Sequence, residues 1–214
     1  MILLASGSPR RRELLALLGL DFTAAAPTVD ETRREGESPT DYAGRMSRSK
    51  AEAAFRPGVV ILAADTIVVD GGDVLGKPRD EADAWAMLRQ LRGRTHEVFT
   101  AVTLWDTARD RCITDLARSP VWMRPYTDDE IAAYIASGDP MDKAGAYGIQ
   151  DPVFHPAEGF ADCFANVMGL PVCHVARGLR ALGIAAPPDV PARCQAELDY
   201  DCPVFQAVGA GRAY

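Results

Sequence analysis

The sequence predicts an α/β fold built on a mixed sheet. Apolar runs of strand length alternate with segments of helical period along most of the chain. Two Ser-Pro steps, Ser8-Pro9 and Ser38-Pro39, each open a helical pattern. Between residues 67–69 and 74–75, the run Asp70-Gly71-Gly72-Asp73 has the composition of a hairpin turn.

Taken in order, residues 2–5 read as a short buried strand. Ser8 then serves as N-cap, Pro9 as the first helical residue and Gly19 as the stop of a helix whose apolar face carries Leu14, Leu15, Leu17 and Leu18. Ser38-Pro39 repeats the start signal, with Asp41 in the first turn, for a helix reaching Phe55. Residues 59–63 form an apolar strand with Asp65 at its end. Residues 80–91 show helical periodicity through Ala84, Met87, Leu88 and Leu91, and Gly93 ends it. Residues 96–105 alternate as a strand, and 112–123 pair with it. Thr127-Asp128-Asp129-Glu130 is a capping box for a helix through Ala136. Residues 171–182 make the last helix. From Ala185 the periodicity fades, so the chain divides into a body, residues 1–184, and a loosely held C-terminal tail, 185–214, of no assigned role.

Hydrophobic residues are 48% and charged residues 25% of the 214, ordinary for a globular protein. No apolar run approaches the roughly 20 residues that span a bilayer, so no membrane partner is expected. The first residues lack the features of a secretory signal, and a cytoplasmic location is the expectation. Five cysteines at irregular spacings, with no Cys-x-x-Cys pair, indicate neither a zinc ribbon nor a disulfide framework, and Cys194 and Cys202 read as free thiols. A net charge of −7 argues against a nucleic-acid-binding surface. An anion site must therefore be built locally, from clustered cations.

The strongest such cluster is Ser6-Gly7-Ser8-Pro9-Arg10-Arg11-Arg12, between a strand and a helix. Helix N-termini carry partial positive charge and unpaired amides, so arginines there cost several tenths of a kcal/mol each. A phosphate held jointly by the amides, Ser8, Arg10 and Arg11 resolves the conflict, with Arg12 left to solvent. Arginines splayed into water or paired with acids are the alternative. Asp30 and Glu31, and the lone Asp65, could hold a hard cation and orient a water; alone, each reads equally as a loop or turn carboxylate. Lys50, on a helix of small residues, and Lys77, in Gly76-Lys77-Pro78, offer point charges to phosphate oxygens, although each alone could be a surface lysine. Gln150 ends a glycine-punctuated loop, where its amide could read a pyrimidine edge or serve only a structural turn. His96, His155 and His174 are too scattered to form a metal set. No Walker pattern, Gly-x-Gly-x-x-Gly fingerprint or Gly-x-Ser-x-Gly elbow occurs.

Assembled in order, these segments resemble the Maf family of nucleotide pyrophosphatases. The pieces are Leu4-Ala5-Ser6-Gly7-Ser8-Pro9-Arg10-Arg11, Val29-Asp30-Glu31, Ser49-Lys50-Ala51, Ala64-Asp65-Thr66-Ile67-Val68, Leu75-Gly76-Lys77-Pro78, Asp142-Lys143-Ala144-Gly145-Ala146-Tyr147-Gly148-Ile149-Gln150 and Asn166-Val167-Met168-Gly169-Leu170-Pro171. The resemblance covers Met1 to about Ile184. It implies an elongated α/β fold, related to inosine-triphosphate pyrophosphatases, with two lobes around a cleft. It also implies cleavage between the α and β phosphates of a nucleoside triphosphate with a divalent cation, Mg²⁺ or Mn²⁺.

By position, Asp65 matches the general base. Glu31, Lys50 and Lys77 match the positions around metal and phosphates, with Glu31 and Asp65 the metal carboxylates, and Ser8, Arg10 and Arg11 match the phosphate-binding start. Arg10, Thr66 and Gln150 fall where subfamilies differ, and Thr66 with Gln150 resembles the dTTP/UTP type. Two departures stand out: Asp151 where the family has glycine, and an unusual stretch at 160–165. The extra carboxylate beside Gln150 could alter base selectivity or lie exposed.

The expected reaction is attack by an Asp65-activated water on the α-phosphorus, releasing a monophosphate and pyrophosphate. Two alternatives remain: a pyrophosphatase for 7-methyl-GTP or other modified nucleotides, and a nucleotide-binding regulator of cell division or septum formation. A pure binder would need the cations but not Asp65 and Glu31, which favours catalysis. Subunit number is left open, with a homodimer among the arrangements allowed.

Overall fold

The computed structural model describes residues 1–211. A six-stranded sheet runs in the order β2-β1-β3-β5-β6, with β4 beside β3. The strands are β1 (Ile2–Ala5), β2 (Phe22–Ala25), β3 (Val60–Asp70), β4 (Asp73–Leu75), β5 (Thr95–Asp106) and β6 (Arg111–Trp122). β1 is parallel to β2 and β3, whereas β4, β5 and β6 pair antiparallel, so the sheet is mixed as the sequence predicts.

The helix starts follow their capping signals. Ser8 caps α1 (Pro9–Ala16), Ser38 caps α2 (Pro39–Ala53), Asp80 caps α3 (Glu81–Leu91), and Thr127 with Glu130 forms the capping box of α4 (Asp128–Ala136). Each side chain accepts from a backbone N–H that the helix itself leaves unpaired. Beyond two short 3-10 turns at Asp139–Asp142 and Ala144–Ala146 come α5 (Phe164–Val167), α6 (Val172–Ala181), α7 (Val190–Leu198) and α8 (Phe205–Gly209).

Two expectations are corrected. The strand over 59–63 does not end at Asp65. β3 runs eleven residues from Val60 to Asp70, with Asp65 at its middle opposite Ala101 of β5. Polar Asp65 and Thr66 are tolerated there because one edge of the strand is open: β1 borders β3 only as far as Leu62, and β4 pairs with β3 only from Val68. The segment over 171–182 is also not the last helix. The tail folds into α7 and α8, which pack against α6 and bury Val190, Cys194 and Val208. Val190, Cys194 and Leu198 recur every four residues and make one apolar stripe. Cys194 counts there as a small hydrophobe, a role its thiol chemistry obscures in the sequence.

On the face of the sheet opposite α2 lie two apolar cores, and two smaller ones pack under α2. Of the larger pair, one joins Leu4, Leu14, Leu62 and Ala64 to Val175 and Leu179 of α6. The other joins Val68 and Val98 to α3, α4 and Tyr147. On that face of β3, polar Thr66 separates Ala64 of one core from Val68 of the other, and the gap between the cores is a cleft. Each fully buried leucine contributes roughly 1.5–3 kcal/mol, so the walls of the cleft are stiff.

Candidate active site

The open edge of β3 faces a cavity of about 510 Å³. Ser8, Arg10, Arg11, Glu31, Lys50, Asp65, Thr66, Lys77 and Gln150, singled out one by one in the sequence, all line it. They come from the start of α1, the loop after β2, the last turn of α2, β3 itself, and the segments that follow β4 and the 3-10 turns.

Side chains alternate across β3, so Asp65 projects toward α2 and Thr66 to the opposite face. Lys50 Nζ stands 2.6 Å from Asp65 Oδ1 and 2.8 Å from Glu31 Oε1, a cation shared by two carboxylates. Partial burial works against the Glu31 charge, but the Lys50 ammonium, with Lys77 and Arg11 farther off, outweighs it and holds its pKa below the ordinary glutamate value. The two carboxylates converge on one small cation, and Mg²⁺ commonly takes one or two carboxylates with phosphate and water completing its shell. The donor set therefore fits such a metal. Among the described residues no group of three or more His, Cys, Asp or Glu could hold a metal by itself. Substrate oxygens and water would have to supply the remaining ligands.

On the other face, Arg11 is half-buried and fixed by neutral acceptors. Its Nε donates to the Gly169 carbonyl at 2.9 Å, Nη2 to Thr66 Oγ1 at 3.0 Å and Nη1 to Ser6 Oγ at 3.3 Å. Burial lowers its pKa against the opposing pull of Asp65, but a guanidinium keeps its proton throughout the range where proteins fold. Gly169 has φ +108°, a region that side chains avoid, and a Cβ there would stand 3.3 Å from Thr66 Oγ1. Arg12 is exposed, as expected, with one bond to the Gly7 carbonyl.

The structure adds residues that sequence reasoning gave no role. Tyr42 Oη donates to the Glu31 carbonyl at 2.7 Å and anchors that loop; burial and then the charges of Asp65 and Glu31 push its pKa up to about 12. Asp142 pairs with Arg10 at 3.2 Å across the cavity mouth, and Lys143 is buried between Asp139 and Asp142 at 2.7 and 2.8 Å. Gly148 gives Lys143 and Gln150 room: a Cβ there would lie 2.9 Å from Lys143 Cε and 3.0 Å from Gln150 Nε2. Only the order of the 142–150 loop pointed toward these contacts. Asp151 does not line the cavity; its carboxylate accepts from the amides of Val153 and Phe154 and closes a turn. His96 and His174 are buried and line no part of the cavity, and His155 is exposed away from it.

Among the described residues no helix is long and apolar enough to cross a membrane. The chain is 46% identical over 184 residues to a protein of Geotalea uraniireducens named dTTP/UTP pyrophosphatase, covering 85% of this chain and 95% of that protein. A protein of the same name from Thermomicrobium roseum is 45% identical over 213 residues, covering 96% of this chain and 94% of its own length, so the tail has a counterpart there. A Ham1 protein of Staphylococcus aureus superposes with a TM-score of 0.40 at 13% identity, over 58% of this chain and 72% of that one, too weak a likeness to argue from. The sequence profile described as Maf-like protein matches residues 1–182, and with these relatives it shows that the chain belongs to the Maf family.

Proposed function

We propose that this protein hydrolyses pyrimidine nucleoside triphosphates, dTTP and UTP, to the monophosphate and pyrophosphate. The observation that carries the reading is the convergence of Arg10, Arg11, Lys50 and Lys77 with Glu31 and Asp65 on one cavity of about 510 Å³, a volume suited to a nucleotide. The names of relatives at 45–46% identity support the choice of base.

In the proposed reaction Asp65 accepts a proton from a water whose oxygen attacks the α-phosphorus. The bond from that phosphorus to the oxygen bridging the α and β phosphates breaks, and pyrophosphate leaves. Arg11, held rigid by Gly169 and Thr66, and Lys77 face the oxygens on which charge accumulates. Lys50 holds Asp65 and Glu31 aimed at one point. Glu31 and Asp65 would hold the divalent cation, Mg²⁺ or Mn²⁺, which supplies charge neutralisation at the polyphosphate. Gln150, with donor and acceptor on one amide, meets the pyrimidine edge.

The test is pyrophosphate release from a triphosphate panel that includes dTTP, UTP and 7-methyl-GTP, with and without Mg²⁺ or Mn²⁺. Preferred turnover of dTTP and UTP is expected, and Asp65→Asn should lower the rate roughly 10²–10⁴-fold. Near-full turnover by that variant would remove Asp65 as the base.

A further inference from the structure

Four of the five cysteines, dispersed in the sequence, meet behind the first core. Cys163 precedes α5, Cys173 lies on α6, Cys194 on α7 and Cys202 between α7 and α8, and all four line a void of about 10 Å³, the size of one water. All are free thiols, and the described residues form no metal-ligand cluster there.

Main-chain and ring contacts join the segment carrying Cys202 to the one carrying Cys163. The Tyr200 ring lies 5.3 Å from that of Phe164, the neighbour of Cys163, and 5.7 Å from that of Phe160. Tyr200 Oη donates to the Phe160 carbonyl at 3.2 Å, and Cys202 N–H donates to Gln195 Oε1 at 3.0 Å. Cys163 and Cys202 thus line the same void, from segments that the Tyr200 and Phe164 rings hold together. Cys163 is buried, whereas Cys202 is half-exposed.

We propose that Cys202 is a peroxide-reactive thiol and Cys163 its resolving partner, the two closing a reversible disulfide that fastens the C-terminal helices to the body. Interaction with the Cys163 thiol, opposed by burial and aided by the amides of Val204 and Phe205, holds the Cys202 pKa below the ordinary thiol value and favours its thiolate. The thiolate attacks one oxygen of hydrogen peroxide; the O–O bond breaks, hydroxide leaves and takes up a proton, and the sulfur becomes a sulfenic acid. Cys163 loses its proton and attacks that sulfur, the S–O bond breaks, and water departs. Two thiols lose two electrons while peroxide is reduced to two waters. Neither sulfur lines the nucleotide cavity, so the proposal stands apart from the catalytic reading.

The experiment exposes the full chain to hydrogen peroxide at neutral pH, alkylates the remaining thiols and maps peptides without reduction. A product about 2 Da lighter is expected, with the Cys163 and Cys202 peptides joined and dithiothreitol restoring both thiols. In Cys163→Ser the Cys202 sulfenic acid should persist and be trapped by dimedone; in Cys202→Ser the crosslink should vanish; in Cys112→Ser it should form as in the parent. A crosslink between another pair, or retention of both thiols while Cys112 is oxidised, overturns the assignment. The peptide map of the parent chain decides this even where a variant folds poorly.

Discussion

Arg11 is held by the Gly169 carbonyl and the hydroxyls of Ser6 and Thr66, and by no carboxylate. Its charge is positioned without being cancelled, which suits a phosphate oxygen better than the ion-paired state of Arg10 or Lys50. A lysine could not satisfy three diverging acceptors from one nitrogen and still face the cavity. Arg11→Lys should therefore lower kcat/KM for dTTP about 10- to 100-fold, or about 1.4–2.8 kcal/mol of transition-state stabilisation. Unchanged kcat/KM would show that the forked geometry is irrelevant. Gly169→Ala tests the same joint from its backbone side: at φ +108° a Cβ costs roughly 1–3 kcal/mol, and a lower melting temperature together with a raised KM is expected.

The cations were legible because they broke a local rule: three arginines at a helix start demand an anion, and a lysine among small residues demands a reason. Helix starts were legible for the same kind of reason, since Ser8, Ser38, Asp80 and Thr127 act within three residues of themselves. What acts at long range was not. The length of β3 is set by its pairing with β5 from Val60 to Val69, and no residue within β3 records that partner. The Gly169 carbonyl has no side-chain signature, and the bond from Tyr42 to Glu31 joins a helix to a loop eleven residues away. The helical tail was missed because its stripe includes a cysteine. With Val190 and Val208 buried there at roughly 1.5–3 kcal/mol each, deletion of residues 185–214 should lower the melting temperature on the order of 10 °C. Melts of truncated and full-length protein that coincide would show that α7 and α8 add nothing.

For the molecule as a whole, the two larger cores share one sheet, and a buried histidine belongs to each half. His96, bonded to Tyr147 Oη at 2.7 Å, lies in the half built on α3 and α4; His174 sits on α6 in the other. Burial drives both pKa values down to about 4, from 6.5 in an unfolded chain. Between those values the unfolded chain binds protons that the folded chain refuses. The stability this confers is complete above pH 6.5 and is lost as pH falls toward 4. NMR at pH 5.5 should find both imidazoles neutral, and urea melts should be weaker at pH 5 than at pH 7. A protonated His96 at pH 5.5 would contradict its burial.

The ion pairs that hold the cavity together have a further effect on traffic through it. Arg10 is occupied by Asp142, Lys143 by Asp139 and Asp142, and Lys50 by Glu31 and Asp65. At Arg10 and Lys50 a polyphosphate therefore exchanges places with a carboxylate, whereas Arg11 meets it with its charge uncancelled. Such an exchange rewards a molecule with enough negative charge to displace a carboxylate, and a nucleotide stripped to one phosphate loses that leverage.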